Sequence, residues 1–394
     1  MIHTRSFPKI LFQRLLLFTL LTLGFLGFLG NCHSSTTPQS EKNEEIFSIA
    51  FGGDVYGGES YQTNSKKHLL PVPPPEGFQE SWRKLQPFLL AQDEVIVNLE
   101  TPLSSLPHSP FKGKKSYIHQ GHPQNTLEVL KKNNITVLSL GNNHTVDYGS
   151  LGLIQTCSVL KEAGLPYFGA GLGAKEACLP FIKEFIVQEK PFTLIVCGGF
   201  EYFSRYQNWG FYAQFSEPGV HLWNSSETLE SLKKWRKAYP SAFIVAFPHW
   251  GNNYRWRSET QKHFAHQTLE AGADLILGHG AHTLQEIECY QGKWICYGLG
   301  NLLFNSPGRY EENKEALPYS LVAQLRLTSK KILRLYPLES NNQKNNYCPS
   351  FLETENGKNV LQQLLQRSAL RPENTLALHE GQDQYGVYLD IFLP

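Results

Sequence analysis

Residues 273–282 read Ala-Asp-Leu-Ile-Leu-Gly-His-Gly-Ala-His, and the reading of the whole chain turns on this stretch. Asp274 to Leu277 is a short apolar run with no alternating polar face, the pattern of a strand covered on both sides. It stops at Gly278. Two imidazoles, His279 and His282, follow at once, beside glycines that let the backbone approach a ligand closely. Working outward, Glu259 to Ala271 has helical spacing, and before it Ala242 to Phe247 (AFIVAF) is a second apolar run. That run ends in Pro248-His249-Trp250-Gly251. The unit is a strand, a turn rich in chemistry, a helix and another strand.

The same unit recurs towards the N-terminus. Ile46 to Phe51 (IFSIAF) stops at Gly52-Gly53-Asp54, and Val95 to Val97 runs into Asn98-Leu99-Glu100. Ile135 to Leu140 (ITVLSL) ends at Gly141-Asn142-Asn143-His144. Helical patterns lie over Trp82 to Ala91, Thr126 to Asn133, Ser226 to Ala238, and Leu151 to Ala163, the last closed by Gly164. Phe192 to Cys197 and Trp294 to Tyr297 are further strands, the latter followed by Gly298-Leu299-Gly300-Asn301, which reads as a tight turn. Strands alternating with helices predict α/β layers with the sheets covered on their faces. The run Asn341 to Asn346 (NNQKNN) is a polar break, read as a linker before a short C-terminal region.

Composition narrows the function classes. The 394 residues are 41% hydrophobic and 18% charged, which suits a folded protein. Lys+Arg 36 against Asp+Glu 35 removes a general electrostatic case for nucleic-acid binding. Residues 1–14 hold Arg5, Lys9 and Arg14 and no acid, and an apolar run from Leu15 to Leu29 leads to Gly30-Asn31-Cys32. This is the order of a secretory signal peptide. Its end resembles a bacterial lipoprotein box with Cys32 as the lipidated first mature residue, although Asn31 departs from the small residue usual there. An uncleaved membrane anchor is the other reading. Both put the folded part at the cell envelope, outside the cytoplasm and beside a membrane. His33 to Glu45 lacks apolar periodicity and reads as a tether. The remaining six cysteines, without a CxxC pair, read as buried free thiols.

Five strand ends thus carry Asp54, Glu100, Asn143 with His144, His249, and His279 with His282. Taken singly, each has a plainer reading. Asp54 is a turn residue or helix cap, Glu100 a solvated charge, Asn143 a left-handed turn, and His144 and His249 packed rings. Together they gather at the crevice beyond the strand carboxyl ends, where layered α/β folds bind ligands. Carboxylate, amide oxygen and neutral imidazole form a mixed set suited to Zn, Mn or Fe and poor for calcium. Asp147, three residues beyond His144, either orients that imidazole or caps the next helix.

At these residues a resemblance enters. GGDVYGGES (52–60), NLETPLS (98–104), LGNNHTVDYGSLGL (140–153), PHWGNN (248–253), ADLILGHGAHTLQEIE (273–288) and YGLGNLLF (297–304) resemble the CapA/PgsA family of poly-γ-glutamate capsule synthesis proteins, of the calcineurin-like metallophosphoesterase superfamily. The match runs in order from about Ile46 to Phe304. It implies a four-layer sandwich of two mixed β-sheets flanked by helices, with one or two divalent transition-metal ions at the strand ends. By that resemblance Asp54, Glu100, Asn143, His249, His279 and His282 are the metal-ligand positions. His144 falls where phosphoesterases place a general acid or transition-state donor. Four departures stand out. Tyr56 replaces a His in the first motif, Glu100 replaces an Asp, the last pair is His-x-x-His, and Asn252 and Asn253 lie where most members have a Glu. They make the fold the firmer implication and hydrolysis the weaker.

The domain expectation is a signal peptide over 1–31, a tether over 32–45, a metallophosphoesterase-like domain over 46–340 and a C-terminal extension over 341–394. The expected function is an exported, membrane-tethered capsule synthesis or export protein. Its site would act in metal-dependent hydrolysis or transfer on poly-γ-glutamate, a similar anionic polymer or a phosphoester. The alternative is a non-catalytic accessory protein that binds or exports the polymer. Expected partners are the membrane, through lipidated Cys32, and membrane subunits of a capsule synthase.

Overall fold

The structure is a computed structural model that describes residues 46–58 and 76–394. The signal peptide and tether read at 1–31 and 32–45 lie outside the described residues. Strands β1 (Phe47–Tyr56), β2 (Glu94–Leu99), β3 (Val137–Ser139) and β4 (Tyr167–Phe168) are parallel neighbours in the larger of two main sheets. Helices α1 (Glu76–Ser81) and α2 (Gln86–Leu90) occupy the first connection, α3 (Pro123–Lys132) the second and α4 (Gly149–Glu162) the third. Of the helix read over Trp82 to Ala91, residues 82–85 are turn and only α2 is helical, while α1 lies wholly before it. Pro87 explains where α2 begins: it has no amide hydrogen and sits in the first turn of α2, where none is needed.

After β5 (Ala170–Gly171) and α5 (Ala174–Ala177), the antiparallel pair β6 (Phe181–Val187) and β7 (Lys190–Phe200) opens the second sheet. Beyond α6 (Ser204–Asn208), β8 (Gly219–Val220) pairs back with β5. Helix α7 (Ser226–Ala238) leads to β9 (Phe243–His249), and α8 (Glu259–Glu270) leads to β10 (Leu275–Leu277). With β11 (Ile287–Tyr290) and β12 (Lys293–Cys296) the strand order is β11-β12-β10-β9-β7-β6, with parallel pairing from β12 through β10 and β9 to β7. The chain then returns to the larger sheet. There β13 (Asn301–Phe304) pairs parallel with β1, and β14 (Tyr319–Leu327) and β15 (Lys331–Glu339) extend the sheet antiparallel.

Strand alternation turns these sheets into layers. On β1, Ile49 and Phe51 face the second sheet, and so does Ile96 on β2. They meet Leu194, Val196, Phe243, Val245, Leu275 and Leu277 in one core. Ala50, Val95 and Val97 face outward and pack under Val129, Leu130, Leu153 and Leu160 of α3 and α4. On the far side Ile195, Ile244 and Ile276 pack under Leu232, Phe264 and Leu269 of α7 and α8. The order is helix, sheet, sheet, helix, the α/β sandwich expected. Two-sided burial is why the strands read as unbroken apolar runs. Each such side chain contributes about 1.5–3 kcal/mol when fully buried.

The segment read as an extension is woven into this body. Asn341 caps the short helix α9 (Asn342–Asn345), accepting from the Gln343 amide at 3.1 Å, and Asn346 ends it in a left-handed conformation (φ 54°). The polar break is cap and turn chemistry inside the fold. Beyond β16 (Ser350–Phe351), helix α10 (Thr354–Ser368) drives Val360, Leu361 and Leu364 into the core between the sheets, touching β15 in one sheet and β11 in the other. A short helix α11 (Pro372–Thr375) precedes the hairpin β17 (Leu378–Asp383) and β18 (Gly386–Leu393), which finishes the larger sheet beside β15. Among the described residues no helix is long and apolar enough to cross a membrane.

Candidate metal centre

The carboxyl ends of β1, β2, β3, β9 and β10 point to one place. Asp54 lies at an irregularity of β1, in register with Asn98 of β2 on one side and Asn301 of β13 on the other. Gly53 permits this: a Cβ there would sit 1.8 Å from the Gly300 carbonyl oxygen, to which the Asp54 amide donates at 3.0 Å. Gly298-Leu299-Gly300-Asn301 is thus more than a turn, because it fixes Asp54. His249 is the last residue of β9 and forms a parallel bridge with His279, just beyond β10. Gly280 between the imidazoles is left-handed (φ 107°), and a Cβ there would come within 3.0 Å of both the His249 ring and the Trp250 nitrogen. His282 also adopts left-handed backbone (φ 58°), a costly state for a non-glycine residue. Two contacts hold it: Tyr310 Oη donates to its carbonyl at 2.7 Å, and its Nδ1 meets Asn301 Oδ1 at 2.8 Å.

Two overlapping triads result, Asp54 with His249 and His279, and Asp54 with Glu100 and His282. Within each triad the donor atoms lie within 4.8 Å of one another. Asp54 accepts from Asn98 Nδ2 at 2.9 Å and from the Gly280 amide at 3.1 Å, with His279 Nδ1 at 3.0 Å. Glu100 contrasts sharply. Both its carboxylate oxygens are buried with no hydrogen-bond partner, as are Asn143 Oδ1 and His279 Nε2. The Nε2 atoms of His144, His249 and His282 stand 3.7, 4.0 and 4.0 Å from Glu100 Oε1. That is too long for hydrogen bonds and within reach of a shared cation. Buried carboxylate, amide and imidazole atoms without partners are costly unless an ion compensates them, so the residues present fit a divalent metal.

Electrostatics point the same way. Burial alone would raise the Asp54 carboxyl, but its hydrogen bonds with His249 and His279 override it and hold the group well below the usual carboxylate range. Burial, then the Asp54 charge, pushes Glu100 well above the ordinary carboxyl range. Burial also lowers His249 and His282, which keeps those imidazoles neutral, the form that binds metal.

His144 stands at the edge of this group. Its Nδ1 lies 2.6 Å from Asp147 Oδ2, which leaves Nε2 facing Glu100. Asp147 does not cap the following helix; Tyr148 holds the cap position, without a side-chain bond. Asp147 instead accepts from the His119 amide at 2.7 Å and from Lys115 Nζ. The Lys115 ammonium also donates to the Asn143 carbonyl at 2.6 Å. The His119 ring stacks on His144 at 3.5 Å and on Tyr56 at 3.9 Å, so the Tyr found in place of a motif His buttresses the stack. Asn143 is not left-handed. Lys115, His119, Asn98, Asn142 and Asn301 escaped the sequence reading. Asn142 holds the loop, donating to Asn98 Oδ1 at 3.0 Å and accepting from the His144 and Thr145 amides at 2.9 and 3.0 Å. The doubled Asn142-Asn143 was the one signal available for it.

Comparison with known proteins finds relatives along most of the chain. The family described as Bacterial capsule synthesis protein PGA_cap matches residues 48–306. Capsule biosynthesis protein CapA of Bacillus anthracis is 28% identical over 291 residues, 73% of this chain and 67% of that protein. PGA biosynthesis protein CapA of Bacillus subtilis (strain 168) is 28% identical over 282 residues, 71% of this chain and 69% of that protein. Among solved structures, the calcineurin-like phosphoesterase YfkN of Bacillus subtilis aligns with a TM-score of 0.44 at 16% identity, covering 82% of this chain and 98% of that one.

Proposed function

This chain belongs to the bacterial capsule synthesis protein PGA_cap family, and from that premise we propose a metal-dependent hydrolase or transferase acting on an anionic capsule polymer such as poly-γ-glutamate. The observation that carries the proposal is the set of buried, partnerless donor atoms on Glu100, Asn143 and His279. Asp54, Glu100, Asn143, His249, His279 and His282 would hold one or two divalent transition-metal ions (Mn, Fe or Zn). When bound, such an ion supplies Lewis acidity to a carbonyl or phosphoryl oxygen. The work at the edge of the site falls to His144. A carboxylate can only accept, so Asp147 fixes the proton on Nδ1 and leaves Nε2 as the exchanging position. Burial, with the Lys115 charge beside it, keeps this imidazole neutral, so Nε2 first takes a proton from the attacking water (or the acceptor's hydroxyl or amine in transfer) and then gives a proton to the leaving group. The protein acts at the cell envelope, tethered through lipidated Cys32 and working with membrane subunits of a capsule synthase.

The test is turnover by metal-loaded protein on γ-linked polyglutamate and on a phosphoester panel, beside metal content. His144→Ala should keep its metal and lose rate by about 10²–10⁴-fold. If neither wild type nor variant turns over any substrate while both restore capsule formation in cells, the protein is a non-catalytic accessory.

A further inference from the structure

A cleft of about 420 Å³ opens on the site, with Asn143 and His249 in its wall. Three arginines line it, Arg205, Arg255 and Arg309, and no carboxylate does. The excess is local, since the chain as a whole balances 36 basic against 35 acidic residues. Two of the three are positioned by aromatic rings. The Arg205 guanidinium carbon stands 4.9 Å from the ring centre of Tyr206, whose hydroxyl faces the Asn143 side chain. That of Arg309 stands 5.2 Å from the Tyr254 ring, itself 5.7 Å from the His282 ring. Each therefore flanks a candidate metal ligand. Among the described residues, neither forms an ion pair with a carboxylate. Arg255 reaches Glu315 at 3.4 Å, but with 54% and 68% of these side chains exposed the pair is weak.

Guanidinium groups held on rings, with no carboxylate partner among the described residues, suit bidentate binding of oxyanions. We infer that Arg205 and Arg309, with Arg255 at the rim, form a subsite for anionic groups next to the reacting unit. The cleft thereby selects chains bearing repeated carboxylates or phosphates over single anions. The inference rests on the reading that the metal centre acts on an anionic polymer, and it adds how such a chain is held.

The experiment measures binding of γ-linked pentaglutamate, linear pentaphosphate and free glutamate to manganese-loaded full-length protein at low and high salt, with metal content alongside. Wild type should bind a pentamer more tightly than glutamate. Arg205→Ala and Arg309→Ala should each weaken pentamer binding by about tenfold and flatten its salt dependence. Metal content and the thermal midpoint should stay unchanged. Whichever pentamer loses more identifies the anion as carboxylate or phosphate. The inference is overturned if the double variant binds both pentamers within about twofold of wild type, a change too small for one charge-assisted contact. Wild type that prefers neither pentamer to glutamate overturns it as well. A His249→Ala, His279→Ala protein separates the two readings. Arginine-dependent binding without metal leaves the subsite standing when the metal reading fails, and metal binding without arginine dependence does the reverse.

Discussion

Lys115 enters the interior beside the site with 6% of its side chain exposed, against an Asp147 that has none exposed. Burial lowers the lysine from its ordinary value and raises the aspartic acid from its own, so each charge survives through the other. Breaking such a pair leaves one buried charge uncompensated, so Lys115→Met should destabilise the protein by about 3–5 kcal/mol in urea unfolding. A loss under about 1 kcal/mol would mean the pair behaves as if solvent-exposed. The same residue shows where single-residue reading runs out. Lys115 belongs to the run Lys112-Gly113-Lys114-Lys115, which has the look of a solvated charge cluster, and nothing in it tells the buried lysine from its neighbours. Asp54, Glu100, His249 and His279 were legible because each follows an apolar run within a few residues. His119 follows none, and its stacking on His144 exists only in three dimensions.

Elements were legible in proportion to their burial. Helix α7 was read to the residue, because Ser225 caps it and its apolar spacing is regular. Strand β1 was read as ending at Phe51, yet it continues through two glycines and Asp54 to Tyr56. Pairing with β13 carries it on, and no local propensity announces a partner some 250 residues away. β17 reads Leu-His-Glu-Gly-Gln-Asp, without apolar alternation, because it is an edge strand held by its hairpin partner. An element-scale prediction concerns the start of α7, where His221 Nε2 lies 2.9 Å from Thr228 Oγ1. Burial holds His221 down to about 4, below the ordinary imidazole value of 6.5. The unfolded chain therefore takes up this proton at higher pH than the folded one. The stability His221 contributes is complete above about pH 6.5 and drains away as pH falls through about 4. Because the ring is only partly buried, the change is on the order of 1–2 kcal/mol. The stability difference between wild type and His221→Gln should shrink by that amount from pH 7 to pH 4. Parallel curves for the two proteins would contradict it.

At the scale of the molecule, the sandwich converts dispersed sequence into one site. Residues from position 54 to position 282 meet because parallel strands of both sheets end on the same side, and the inter-sheet core holds the sheets in register. The alternation of strand and helix made the layers legible. Strand order did not follow from it, nor did the role of α10, whose Val360, Leu361 and Leu364 complete the core between the sheets from a segment that reads as an appendage. The central claim is that this convergence builds a metal centre around Glu100. It is tested most directly by elemental analysis of purified full-length protein after manganese loading and exhaustive dialysis. Wild type should hold at least about one ion per chain, with imidazole ligation making uptake fall as pH drops through about 6.5. The folded His249→Ala, His279→Ala double variant should lose nearly all of it. Full metal stoichiometry in that double variant would contradict the claim.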